Sequence, residues 1–304
     1  MTVLKVENIL KKFGQYEAVK NVSFTVDKGH VFGLLGPNGA GKTTTIRMIT
    51  NILIPDEGSI NIFGEEAGVN HQNRIGYLPE ERGLYKKIKV LDQLIYFGQL
   101  KGMSRSNAQS QALKWLKKLD AESWAGKKIQ ELSKGMQQKV QFITTILHNP
   151  DLLILDEPFS GFDPINIEIL KRIILDLKNE GKTIILSTHV MEQVEQLCDS
   201  ICLINKGKTV LSGKVRDIKN GYGRDTVLIE FDGDASFLDE FKNISYINRS
   251  DNRAEFRLTG SNLSSNEILE SAMKKNEIFK FVIEEPSLNE IFIDVVSHGE
   301  KTNE

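Results

Sequence analysis

Apolar residues along the chain change period several times, and each change predicts an element. Residues 22–26 and 30–35 are short apolar, β-branched runs that predict strands. A glycine-rich turn follows, and a helix is predicted from about 41 to 51. Residues 151–155 and 183–187 are continuous apolar runs, the pattern of strands buried on both faces of a parallel sheet. Between them, residues 164–180 place Ile165, Ile169, Ile173 and Leu177 at helical spacing, and Gly181 supplies a stop. That order predicts a βαβ unit. Residues 91–147 read as mostly helical with polar faces, a helical insertion in the α/β domain. Residues 214–224 are polar, with three glycines nearby, and predict a linker.

The remaining chain has an order of its own. A strand is predicted at 226–231, a short helix at 235–243, and strands at 244–248 and 253–258 around a turn at 249–252. A longer helix at 263–276 and a strand at 278–284 follow. This βαββαβ order is the split-βαβ, ferredoxin-like pattern. A last helix is predicted at 287–296, after Pro286.

Composition narrows the class. A length of 304 residues suits about two domains. Hydrophobic residues at 40% and charged residues at 26% exclude a disordered chain, a collagen and a disulfide scaffold. No apolar run approaches the ~20 residues of a membrane helix, and the alternating, charged residues 1–7 do not form a secretory signal. Cys198 and Cys202 suit a reducing cytosol. Residues 199–201 between them predict a helix-to-strand transition, and no further Cys or nearby His completes a metal site. The net charge of −2 gives no global basis for binding nucleic acid. Residues 221–304 nevertheless carry 9 Lys and Arg against 17 Asp and Glu, which leaves a balance of +6 on the first 220 residues. Lys86, Lys87 and Lys89, and Lys127 and Lys128, form short basic clusters that read as solvated surface.

The run Gly36-Pro37-Asn38-Gly39-Ala40-Gly41-Lys42-Thr43 matches G-x-x-x-x-G-K-[ST], with a strand before it and a helix after it. Glycines let backbone N–H groups turn onto phosphate oxygens, and the following helix adds its positive end. Lys42 can reach β- and γ-phosphates, and the Thr43 hydroxyl can bind Mg²⁺; Thr44 extends the cradle. Asp156 and Glu157 end the buried run 152–155, at the strand edge where open α/β sheets bind ligands. Asp156 suits a metal-holding role, and Glu157 suits polarising a water. His189 follows the run 183–187 at the same edge, which points to a γ-phosphate contact.

With Leu132-Ser133-Lys134-Gly135-Met136-Gln137-Gln138 added, the chain resembles the nucleotide-binding subunit of an ABC transporter, whose signature begins Leu-Ser-x-Gly. The phosphate loop, this segment, residues 155–158, residues 160–164 and His189 occur in family order. The resemblance spans about residues 2–215. It implies an α/β P-loop ABC nucleotide-binding domain with a parallel-sheet core, an antiparallel β subdomain and a helical subdomain at about 91–147. The expected boundaries are then 1–215 for that domain, 216–224 for the linker and 225–304 for a small α+β, ferredoxin-like C-terminal domain, with three roles open to it: dimer support, which is favoured, ligand sensing, or capping the cassette.

The resemblance further implies ATP and Mg²⁺ as ligands, and a head-to-tail homodimer. Each ATP would lie between the phosphate loop of one copy and Ser133, Lys134 and Gly135 of the other. Asp163 falls at the loop that links the two sites, and Phe13 at the adenine-stacking aromatic, with Tyr16 as a weaker substitute. The segment 79–85 and the tail 285–292 resemble ABC-2 type exporters, including the sodium-extrusion and drug-efflux branch. That implies an ATPase driving efflux of Na⁺ or a drug-like or peptide cargo through a separate transmembrane permease, with the chain cytoplasmic and peripheral on the inner face of the cell membrane and no direct nucleic-acid partner. Two departures stand out. Glu80 follows Gly76-Tyr77-Leu78-Pro79 where the family usually has Gln, and a carboxylate there can still bind Mg²⁺. Met136 replaces a frequent Gln. The rival readings are a soluble ABC-type ATPase regulating a nucleic-acid or ribosome-associated process, and a module that holds ATP without turnover.

Overall fold

The computed structural model describes residues 1–81, 83–222, 226–241, 243–258 and 264–301. The chain divides into two units, Met1–Lys214 and Val215–Glu304.

Two long strands, β1 (Thr2–Phe13) and β2 (Tyr16–Asp27), open the first unit and pair antiparallel. Sequence periodicity predicts only the end of β2. The reason is local: the β1–β2 register shifts several times, and Asn8 and Asn21 take positive φ near 50°. Each irregularity breaks the period-two alternation by which a strand is recognised. After β3 (Val31–Leu35) come α1 (Lys42–Ile49), β4 (Glu57–Ile62) and the short β5 (Glu65–Glu66). Strands β2, β1, β4 and β5 form one sheet in that order.

The larger sheet adds β6 (Ile75–Leu78), β7 (Leu152–Asp156), β8 (Thr183–Thr188), β9 (Ser200–Asn205) and β10 (Lys208–Lys214), in the order β10-β9-β3-β8-β7-β6. Its pairs are parallel except β9–β10. Every residue of β3, β7 and β8 is buried, as continuous apolar runs require. Leu34, Ile46, Ile154 and Ile185 share a core with Leu4 and Ile9 from the first sheet.

Residues 91–147 carry α2 (Val90–Leu100), α3 (Arg105–Lys118) and α4 (Lys134–Ile146). Ser104 caps α3 and Ser133 caps α4, each hydroxyl accepting from the backbone N–H three residues on. The βαβ unit holds α5 (Pro164–Asn179), with Asp163 at its N-cap, and α6 (Met191–Leu197) follows β8.

The linker expected at 216–224 is instead mostly helix. α7 spans Val215–Tyr222, and residues 223–225 lie outside the described residues. Val215, Ile218 and Tyr222 recur at helical spacing, and Asp217 suits the positive first turn. In the sequence reading, the glycines around this segment masked that face.

In the second unit, β11 (Thr226–Gly233), β12 (Ile244–Ser250), β13 (Arg253–Leu258) and β14 (Asn276–Glu284) form an antiparallel sheet ordered β12-β13-β11-β14. This is the strand order of the split-βαβ pattern. The helix predicted at 235–243 is a 3-10 turn, Ala235–Glu240, capped by Asp234. The helix predicted at 263–276 is α8 (Ser265–Met273), started by a capping box of Ser264 and Glu267; residue 263 lies outside the described residues, and β14 begins earlier than expected, at Asn276. Val227, Ile229, Phe231, Phe237, Phe256 and Ile268 form the core. The last helix, α9, spans Leu288–Lys301.

Candidate functional site

Parallel pairing sets the position of the site. Because β3, β7 and β8 run together, the segments that follow them emerge at one edge of the sheet. The phosphate loop, Asp156 with Glu157, and His189 therefore converge from three distant parts of the chain.

The loop is shaped for close approach by a ligand. Gly36, Gly39 and Gly41 have φ of 146°, 78° and 110°. A Cβ on Gly36 would meet the Ile204 carbonyl oxygen at 2.1 Å, and one on Gly41 would meet that of Ala18 at 2.6 Å. Any side chain there strains the backbone and clashes with those carbonyls. Lys42 is 7% exposed, and its Nζ donates to the carbonyls of Gly36 (2.8 Å) and Pro37 (3.1 Å). Burial lowers its pKa, against the pull of Glu157, Asp156 and Glu80.

Asp156 is almost fully buried at the end of β7. Its Oδ2 accepts from the Thr43 hydroxyl at 3.0 Å, while its Oδ1 is buried without a hydrogen-bond partner. Burial raises its pKa, so the carboxylate calls for a cation. This unsatisfied oxygen, the Thr43 hydroxyl and Glu80 on the same cavity are hard oxygen donors of the kind Mg²⁺ takes. Among the described residues no three His, Cys, Asp or Glu side chains converge as a complete metal cage.

Glu157 takes φ 47°, a left-handed conformation that is strained for a residue with a Cβ. Its backbone N–H is anchored on the Ser187 carbonyl at 2.9 Å. Its Oε1 lies 2.7 Å from His189 Nδ1, and its Oε2 accepts from the Thr188 hydroxyl at 3.4 Å. Sequence reading placed Glu157 and His189 on one edge; their direct contact is a product of the fold.

A cavity of about 510 Å³ lies against this edge. Asn38, Gly39, Gly41, Lys42, Thr43, Thr44, Glu80, Asp156 and Glu157 line it, together with Phe13 and Tyr16. Phe13 and Tyr16 are 50% and 62% exposed, at the adjoining ends of β1 and β2. Ala18 also lines the cavity; an alanine on a strand gives a sequence reader no signal. Gly36 and Ala40 complete the loop behind the lining residues, and the Ala40 carbonyl accepts from the Gly207 N–H. Ser133, Lys134, Gly135 and Asp163 are not among the residues lining this cavity in their own chain. Asp163 accepts from the backbone and side chain of Asn166 at 3.0 and 2.6 Å, and these bonds hold its carboxyl below the usual range.

Other features singled out by the sequence take ordinary places. Cys198 follows α6 and Cys202 lies inside β9; both are buried, and burial pushes both thiols up. The two basic clusters meet where Lys89 and Lys128 pair in an isolated antiparallel bridge.

Fold and site together define a P-loop nucleotide-binding ATPase with Mg²⁺-ATP as its ligand. The ABC transporter family model matches residues 19–160, and the C-terminal domain model of DrrA1-3-like ATP-binding proteins matches residues 213–296. The chain is 45% identical over 294 residues to the uncharacterized ABC transporter ATP-binding protein YhaQ of Bacillus subtilis strain 168, covering 97% of this chain and 98% of that protein. It is 31% identical over 304 residues to the linearmycin resistance ATP-binding protein LnrL of the same strain, covering 96% and 98%. A dimeric ATP-binding cassette in a post-hydrolysis state bound to ADP and Pi superposes with a TM-score of 0.65 at 25% identity, over 70% of this chain and 99% of that one. The chain belongs to the ABC transporter ATP-binding protein family. Its two-part organisation fits the ABC-2 type exporter group within it.

Proposed function

We propose that the chain is the motor of an exporter, closing as a head-to-tail dimer on two Mg-ATP and passing that motion to a separate membrane permease. One observation carries this reading: a phosphate cradle, a buried carboxylate with one unbonded oxygen, and Glu157, itself in contact with His189, converge on one cavity. Phe13 stacks the adenine. Gly36, Asn38, Gly39, Ala40, Gly41 and Thr44 wrap the phosphates, and Lys42 holds their β and γ oxygens. Thr43, Asp156 and Glu80 would hold Mg²⁺, which supplies charge neutralisation at the β- and γ-phosphates when bound. Ser133 and Gly135 of the partner copy, with Lys134 between them, close on the γ-phosphate, and a helix N-terminus is suited to that anion.

Glu157 takes a proton from water as the water oxygen bonds to the γ-phosphorus and the bond to the β-bridging oxygen breaks, giving ADP and phosphate. His189 holds the Glu157 carboxylate in place and faces the γ-phosphate. Asp163 lies at the link between the two sites.

Among the described residues no helix is long and apolar enough to cross a membrane. In this reading a permease on a separate chain carries the cargo, whether Na⁺ or a drug-like or peptide molecule, and its choice lies with that chain. The reading puts the motor on the inner face of the cell membrane.

Capture of tagged Glu157→Gln protein from detergent-solubilised native membranes tests this. The expected companion is a protein with about six membrane helices; ribosomal or chromosomal components without it overturn the exporter reading. The adenine assignment has its own test. Phe13→Ala weakens ATP binding by about 1–3 kcal/mol, the usual worth of a base–aromatic stack, as read by fluorescent-nucleotide titration. An unchanged affinity, with the loss appearing in Tyr16→Ala, moves the platform to Tyr16.

A further inference from the structure

Gln141 sits on α4, two turns beyond the Ser133 cap. It is 3% exposed. Its carboxamide Nε2 donates to the carbonyls of Pro79 (3.3 Å) and Glu81 (3.1 Å), the residues on either side of Glu80. Its Oε1 has no partner, so both of the bonds this side chain makes go to the Glu80 loop. The Gln141 carbonyl accepts in turn from the hydroxyls of Thr144 (2.6 Å) and Thr145 (3.1 Å), which adds to its anchoring in the helix. Sixty or so positions of chain separate the loop from this clamp.

The consequence is mechanical. A buried amide that holds both neighbours of a residue fixes the backbone from which that residue's side chain projects. Ser133 and Gln141 lie on one helix, about 12 Å apart along its axis. One continuous hydrogen-bonded helix therefore joins Ser133 to the loop through Gln141. Glu80 lines the nucleotide cavity, and its charge acts on Lys42 and Asp156.

We propose that Gln141 is a positioning residue that sets the reach of Glu80 to the metal of bound nucleotide, and so ties the signature end of α4 to the metal end of the site. This rests on the reading of Glu80 as a metal ligand. Nothing in the sequence marks Gln141 out, since a glutamine within an amphipathic helix reads as surface.

The test uses the full chain and a fluorescent non-hydrolysable ATP analogue, titrated in Mn²⁺ and again in EDTA. The ratio of the two affinities measures what the metal adds. Gln141→Met keeps the shape and removes the donor. It is expected to lower that ratio roughly three- to tenfold while the metal-free affinity stays within twofold. Glu80→Ala lowers the ratio similarly, and adding Gln141→Met to Glu80→Ala changes it no further. If Gln141→Met does not fold, Gln141→Asn, one methylene short of both carbonyls, carries the same comparison. A ratio unmoved by the Gln141 variants overturns the proposal, as does an effect that persists in full on the Glu80→Ala background. A ratio unmoved by Glu80→Ala overturns the reading of Glu80 itself, and the tie with it.

Discussion

Lys42→Ala abolishes tight Mg-ATP binding. The Lys42 ammonium is held by two neutral carbonyls, those of Gly36 and Pro37, in a nearly buried position. A phosphate oxygen is a better partner, because an ionised acceptor makes a shorter and stronger bond than an amide carbonyl. Losing a bond of that kind costs about 3 kcal/mol, roughly a hundredfold in affinity. The glycine cradle and the start of α1 remain, so residual weak binding is expected. Fold stability should not fall, since alanine removes a buried cation whose charge burial already disfavours. Nucleotide titration and urea unfolding of the same preparation separate the two effects. Unchanged affinity in a folded variant removes Lys42 from the phosphate site.

Glu157→Gln binds ATP with little loss and hydrolyses it at least ~100-fold more slowly, the usual scale for removing a general base. The carboxamide keeps the shape of the carboxylate and can still meet His189 and Thr188, so the geometry of the β7 edge is retained. What it lacks is a basic oxygen for the proton of water. With hydrolysis stalled, the ATP-bound dimer has no route to ADP, and the closed dimer accumulates. Size-exclusion chromatography with and without ATP reads the dimer, and phosphate release reads the rate. Wild-type turnover excludes Glu157 as the base. A stalled enzyme that stays monomeric with ATP retains Glu157 but removes the closed dimer from the cycle.

The phosphate loop was legible because its chemistry is local. Eight consecutive residues supply the glycines, the cation and the hydroxyl, and the strand before and helix after them follow from short-range pattern. Asp156 and Glu157 were legible for a related reason: a run of buried apolar residues that ends abruptly in two carboxylates marks a strand tip. Two other stretches were harder. Bulges at Asn8 and Asn21 hid most of β1 and β2, and glycines hid α7 inside what looked like a linker.

By itself, then, the sequence marked the groups proposed to meet nucleotide: the cradle of residues 36–43, the carboxylates 156 and 157, His189, and the signature around Ser133. Only the tertiary structure decided how they meet. The Thr43 hydroxyl reaches Asp156 across 113 positions of chain, and Glu157 meets His189 across 32. The Gln141 clamp on the Glu80 loop belongs to the same class. Each contact depends on non-local pairing, in which β3 inserts between β8 and β9 and α4 packs beside the end of β6. The physical reason is that backbone propensity and hydrophobic period act over a few residues. The register of parallel strands and the burial of one polar side chain against a distant loop are fixed only when the whole core closes.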